Sequence, residues 1–174
     1  MTGPRSVPAD AHRLDHRVVI EAPRGRVWQL VEDPAALMQW VHGMRSVTSA
    51  DGSPGGFALG ATFVQRIRLG LVPTPCRGEV TEFKPQSRLS VVVHHALFDL
   101  DIAYKFAAVG QRTEVTCHAA VHGRALGTVI PRSKVEQVAD EILEDHLGAL
   151  KAQLAEAKQE RGRLPSITSP DAWE

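Results

Sequence analysis

The side chains able to do chemistry in this chain are few, and most are imidazoles. The 174 residues include eight histidines, two cysteines and one tyrosine. His94-His95 is a tempting pair, but adjacent strand residues point to opposite faces and cannot act on one substrate atom. Asp99 and Asp101 resemble an acid pair, and His118 and His122, spaced to share a face, could bind a metal together. Both pairs fall opposite the apolar side of their strands, where carboxylates are usually solvated. No third ligand accompanies the two histidines, so no metal is expected. Cys76 and Cys117 lack metal spacing and are too few for a disulfide framework. Cys117 reads as a small buried filler, since nothing basic near it in sequence would lower a thiol pKa.

The apolar side of the strands carries a different set: Gln65, His95, Tyr104, Cys76 and Cys117, with His146 added by helical phase. Tyr104, His95 and His146 are the candidate catalytic groups, because such side chains can give and take protons. Tyr104 also reads as a core tyrosine bonded to the backbone, and His146 as a satisfied core histidine. Tyr104 lies six residues past Phe98, roughly 20 Å from the hairpin tip that holds His95. Those two make a poor acid–base couple.

Positioning them requires strands first. Asp15–Glu21 predicts a strand, ended by Ala22-Pro23. Arg24–Glu32 predicts a short helix with Val27, Trp28, Leu30 and Val31 on its apolar side, and Asp33-Pro34 breaks it and caps another turn. Gly43–Ala50 is a weak strand, and Asp51–Gly56 a turn. Alternation then marks Ala61–Leu69, Cys76–Phe83, Arg88–His95, Phe98–Phe106 and Thr113–His122. Gly70–Pro75, Ala96-Leu97, a turn around Gly110, and Gly123–Ile130 connect them. In Pro131–Lys158, Val135, Val138, Ala139, Ile142, His146, Leu150 and Leu154 fall on one face of a long helix, with Gly162 as its stop. No strand–helix–strand alternation occurs. The class expected is α+β, a curved antiparallel sheet of about seven strands around a long C-terminal helix. Residues 14–160 are expected to form one domain, with flexible tails at 1–13 and 161–174.

Formal charge is zero and the signs are interspersed, which excludes the basic face of a general nucleic-acid or membrane-surface binder. No apolar run reaches signal-peptide or transmembrane character, so no stable membrane insertion is expected and the cytoplasm is the expected compartment. No cofactor is implied. The pattern does not set the oligomeric state.

The run Val19-Ile20-Glu21-Ala22-Pro23, then Val27-Trp28, Asp33-Pro34 and Trp40, resembles the opening of the START/Bet v 1-like superfamily (SRPBCC). The likeness is to its bacterial polyketide cyclase/dehydrase-like branch. Gly78-Glu79-Val80-Thr81-Glu82-Phe83-Lys84-Pro85, followed by Arg88-Leu89, is similar to that branch's middle strands, and the closing helix agrees. The resemblance covers roughly Asp15 to Lys158. It implies a helix-grip fold with a cavity between sheet and C-terminal helix. It carries no catalytic motif, since the matching residues are structural.

Two functions follow. One is binding of a hydrophobic small molecule, lipid-like or polyketide-like. Its lining would be Phe63, Gln65, Ile67, Val91 and Val93 from one part of the sheet, Leu100, Ile102 and Cys117 from another, and Ile142 and Leu150 from the helix. The other is a cyclase or dehydrase that folds a ketone-bearing chain and moves protons with Tyr104, His95 or His146. A weaker third reading is a protein-interaction module on the outer sheet face. Convergence of two polar candidates on one cavity point separates the first two.

Overall fold

The computed structural model describes residues 11–50, 56–68, 73–96, 98–123 and 131–163. Strand β1 (His12–Ile20) is followed by helices α1 (Arg24–Glu32) and α2 (Pro34–Trp40). Strands β2 (Met44–Ser49), β3 (Thr62–Arg68), β4 (Pro73–Lys84) and β5 (Arg88–His94) come next. Then follow β6 (Phe98–Val109), β7 (Arg112–Gly123) and the long helix α3 (Arg132–Arg163). The seven strands form one antiparallel sheet in the order β1-β7-β6-β5-β4-β3-β2. This is the helix-grip arrangement expected from the pattern. Alternation alone does not show which strand meets which across a long gap. Here the first strand pairs with the last, His12 opposite Val121 and Ile20 opposite Thr113.

The turn chemistry behaves as its residues require. Asp33 caps α2, its carboxylate accepting from the Ala35 N–H at 2.8 Å, with Pro34 in the first turn. Gly110 turns β6 into β7 at φ +61°, a region that costs an ordinary residue. Four boundaries differ from expectation by three residues or more. β1 begins at His12, because its ladder with β7 continues that far. β4 begins at Pro73 within the expected loop Gly70–Pro75, pairing with Arg68; a first strand position tolerates a missing N–H. β6 extends to Val109, paired with Arg112. α3 runs through Gly162 to Arg163, since one glycine costs only ~1 kcal/mol and does not stop a helix. The turn at Asp51–Gly56, both interstrand links, the Ala96-Leu97 connection and the two tails lie wholly or partly outside the described residues.

A bulge in β4 sets the inner face. Val80 pairs with Val91 and Glu82 with Ser90, so the register shifts at Thr81. The extra residue reverses the parity, and Val80 and Phe83, an odd step apart, share a face. All three helices lie on that face. Trp28 of α1 is 2% exposed and meets Phe106 edge-on, with ring centroids 5.3 Å apart, and Phe83 at 5.5 Å. Its indole N–H donates to Glu32. Trp40 is also buried and donates to the Leu30 carbonyl at 2.9 Å. The Phe63 ring lies over Gly78, where a Cβ would come within 2.1 Å of it.

Two stability predictions follow from this packing. Trp28→Ala should cost roughly 3–5 kcal/mol, because a large ring leaves a cavity the core cannot close. Urea denaturation checks it, and an unchanged midpoint would place Trp28 outside the core. Gly78→Ala should cost about 1–3 kcal/mol by pushing the Phe63 ring off the strand. A double-mutant cycle with Phe63→Leu should recover most of that loss.

Candidate functional site

The ladders sort the inner face into rows. One row runs Phe63, Gly78, Val93, Leu100, Val121. The next runs Val80, Val91, Ile102, Ala119, Leu14. A third runs Phe83, Leu89, Tyr104, Cys117, His16. Phe63, Ile67, Val91, Val93, Cys117 and Leu150 are buried, while Gln65, Leu100 and Ile102 keep partial exposure. The expected burial of Leu100, Ile102 and Tyr104 against exposed Asp99 and Asp101 is therefore not the contrast observed: all five are intermediate, and only Lys105 is exposed. Parity nevertheless holds, because Leu100, Ile102 and Tyr104 pack against the core.

The long helix needs a correction. Its buried line is Ala139, Leu143, His146, Leu147, Leu150 and Leu154. Leu143 and Leu147 replace Val138 and Ile142, which are not buried in this way. Ile142 instead borders an open groove of about 960 Å³ between α2 and the outer side of α3. Ala139, His146, Leu150 and Leu154 are buried as the spacing predicts, and the seam widens to the side of Leu143 and Leu147, because apolar residues on both sides of it satisfy the same spacing. This groove is not the space between sheet and helix.

His95 and Tyr104 are not brought together. His95 is 6% exposed and stacks on Phe98, with centroids 4.7 Å apart, at the β5–β6 end. Tyr104 sits six residues along β6 from Phe98, roughly 20 Å away at strand spacing. His146, 9% exposed, lies edge-on to Trp40 at 6.4 Å. His94 takes the opposite face from His95, as adjacent strand residues must, and contacts Asp99 at 2.7 Å.

Each candidate has its own chemistry. Tyr104 faces Cys117 across the β6–β7 ladder. Burial, then the neighbouring Cys117, hold the phenol well above 10, so Tyr104 keeps its proton at neutral pH. Burial pushes the Cys117 thiol up to about 12, with the neighbouring Tyr104 hydroxyl opposing the rise and Asp15 adding to it. A thiol that rarely ionises is a poor nucleophile. Burial lowers His146 to about 4, helped by His42, while Asp145 and the His42 backbone oppose. Its Nε2 is buried without a hydrogen-bond partner.

Sequence reasoning missed His16. It shares the row of Tyr104 and Cys117, and its Nε2 meets Asp140 of α3 at 2.8 Å. The signal was available: His16 stands two residues from Val18 and therefore on the inner face of β1. Two further histidines join α3 to the body, His12 with Glu136 at 3.5 Å and His42 with Asp145 at 3.1 Å. On the outer face, His118 pairs with Asp15 and His122 with Asp101 at 3.1 Å. Among the described residues, no group of three His, Cys, Asp or Glu side chains is placed to hold a metal. No described helix is long and apolar enough to cross a membrane.

The chain matches the family described as polyketide cyclase / dehydrase and lipid transport over residues 11–155. It belongs to that family. Its fold is that of the START/Bet v 1-like superfamily. A START superfamily protein from Mycobacterium smegmatis is 16% identical with TM-score 0.68, covering 84% of this chain and 99% of that one. A protein from Thermus thermophilus is 17% identical, also at 0.68, over 84% and 99%. The Zhui aromatase/cyclase from Streptomyces sp. R1128 is 14% identical at 0.69, over 90% and 98%. Identities this low establish shared fold alone. No curated protein matches the chain.

His146 generates a pH prediction in this family member. Its folded pKa of about 4 lies below its usual 6.5, so the unfolded chain takes up the proton first. The stability tied to the neutral ring is complete above about pH 6.5 and is lost as pH falls toward about 4. That difference amounts to roughly 3 kcal/mol. His146→Leu should flatten the stability profile across this window relative to the parent, measured by urea unfolding at each pH. Parallel profiles would show that the ring is not held neutral.

Proposed function

We propose that this protein binds a hydrophobic small molecule, lipid-like or polyketide-like, between the inner sheet face and α3. The observation that carries the reading is the accessibility of Leu100, Ile102 and Tyr104. They point inward and pack against the core, yet retain accessible surface. Tyr104 lies deep enough for burial to dominate its pKa. A deep apolar side chain with accessible surface borders a hollow, and apolar hollows accept apolar guests. Val91, Val93, Phe63, Ile67, Leu150 and Gln65 surround this strip in the proposal. The Tyr104 hydroxyl supplies its polar anchor.

A second reading, a cyclase or dehydrase, is favoured by the pair His16–Asp140. His16 lies two strands from Tyr104, roughly 10 Å between backbones at sheet spacing. With Nε2–H donating to Asp140, the Nδ1 lone pair is free to take a proton. In this step Nδ1 would take the proton from the carbon adjacent to a ketone while Tyr104 donates its own to the ketone oxygen, leaving the enol. His95 and His146 lie away from this pair and have no role in that step.

Mass spectrometry of small molecules extracted from the purified chain tests the first reading, with titration by the apolar dye 1-anilinonaphthalene-8-sulfonate. One dye per folded chain is expected, weakened at least tenfold by Val93→Trp. Absence of dye binding by the folded protein would sink both readings. A poly-β-ketone returned unchanged supports binding; cyclised product that His16→Ala slows would support the enzyme.

A further inference from the structure

The groove between α2 and α3 lies outside the proposed ligand site and has its own character. Its apolar part is small: Ile142, Ala149 and Ala152 of α3, beside the edge of the buried Trp40 of α2. Gly148 sits at its middle, and a Cβ there would meet nothing within 4 Å. A glycine inside a 32-residue helix costs ~1 kcal/mol relative to alanine, and no described neighbour in the fold requires it. Small residues at 148, 149 and 152 let another helix approach to the usual spacing of roughly 8–10 Å between axes.

The rim is acidic. Glu141, Glu144, Asp145 and Glu156 border the groove, and among the described residues no lysine or arginine does. The chain as a whole has zero formal charge, so this is local segregation. Two of the carboxylates have neutral or titratable partners: Glu141 accepts from the Gln137 amide at 2.8 Å, and Asp145 meets His42. From Glu141 to Glu156 the rim extends ~22 Å, about four helical turns.

We infer that this groove docks a cationic amphipathic helix of a partner protein, its apolar stripe on Ile142, Ala149 and Ala152 and its lysines or arginines on the carboxylates. Charge complementarity selects this occupant. The chain's own end is unsuited, since residues 164–174 carry Asp171 and Glu174 and no lysine or arginine.

The test uses the full chain and a fluorescein-labelled peptide of leucine and lysine in amphipathic helical order, long enough to span the rim. Anisotropy should show saturable one-to-one binding that weakens with salt. Glu144→Lys with Glu156→Lys should weaken it at least tenfold. Gly148→Trp, which fills the floor without changing charge, should weaken it comparably. Glu79→Lys, a charge reversal on the outer sheet face, should leave it within twofold. The dye titration of the inner hollow should be unaffected by all of these, which separates this proposal from the ligand reading. Equal binding by Gly148→Trp, or equal losses from Glu79→Lys and the groove reversals, would overturn it. So would a glutamate-for-lysine peptide that binds as well. A dimer in sedimentation that Gly148→Trp abolishes would assign the groove to a second copy and overturn it likewise.

Discussion

A straight helix cannot touch a twisted antiparallel sheet everywhere, and the inner face of this protein is organised by where contact is made. α3 seats chiefly along β1 and β7, and reaches α2 at its far side. Leu143, Leu147, Leu150 and Leu154 are withdrawn from water along that seam. α1 closes the opposite end through Trp28 against Phe83 and Phe106. Between the two seals lies β6, whose inward residues from Phe98 to Tyr104 stay partly accessible while Phe106 is buried.

Polar contacts also line the same seam. Six of the eight histidines take a carboxylate partner: three tie α3 to the body and three cross the outer sheet face. Most of these pairs are substantially exposed, and exposed pairs contribute about 0–1 kcal/mol. Burying one leucine-sized side chain contributes ~1.5–3 kcal/mol. The apolar seam therefore holds the helix, and the three His–carboxylate pairs that reach α3 add little to it. His16–Asp140 is the exception in position, because it stands in the row of Tyr104 and Cys117.

Burial also decides what the inner polar groups can do. The same desolvation that silences the Cys117 thiol keeps the Tyr104 proton in place and His146 neutral. The interior is thus stocked with neutral hydrogen-bonding groups, and none of these three carries a charge at neutral pH.

Fold class was legible in the sequence because it rests on local periodicity. Alternation in Phe98–Phe106, the Asp33 cap and the spacing of apolar residues after Pro131 each depend on nearby residues only, and each holds within a few positions. The opposite faces of His94 and His95, and Tyr104 facing Cys117, followed from strand parity and one turn. The candidate site was legible only in part. The bulge at Thr81, the pairing of β1 with β7 and the phase of α3 are set by contacts between residues far apart in the chain. Those contacts brought His16 beside Cys117, placed Leu143 and Leu147 inward, and turned Ile142 toward α2. The sequence by itself determined which residues are apolar, which strands alternate and where turns fall, since those are properties of short segments. Tertiary structure alone decided which polar groups meet, because a one-residue shift in register or helix phase leaves composition unchanged and moves a side chain to another face.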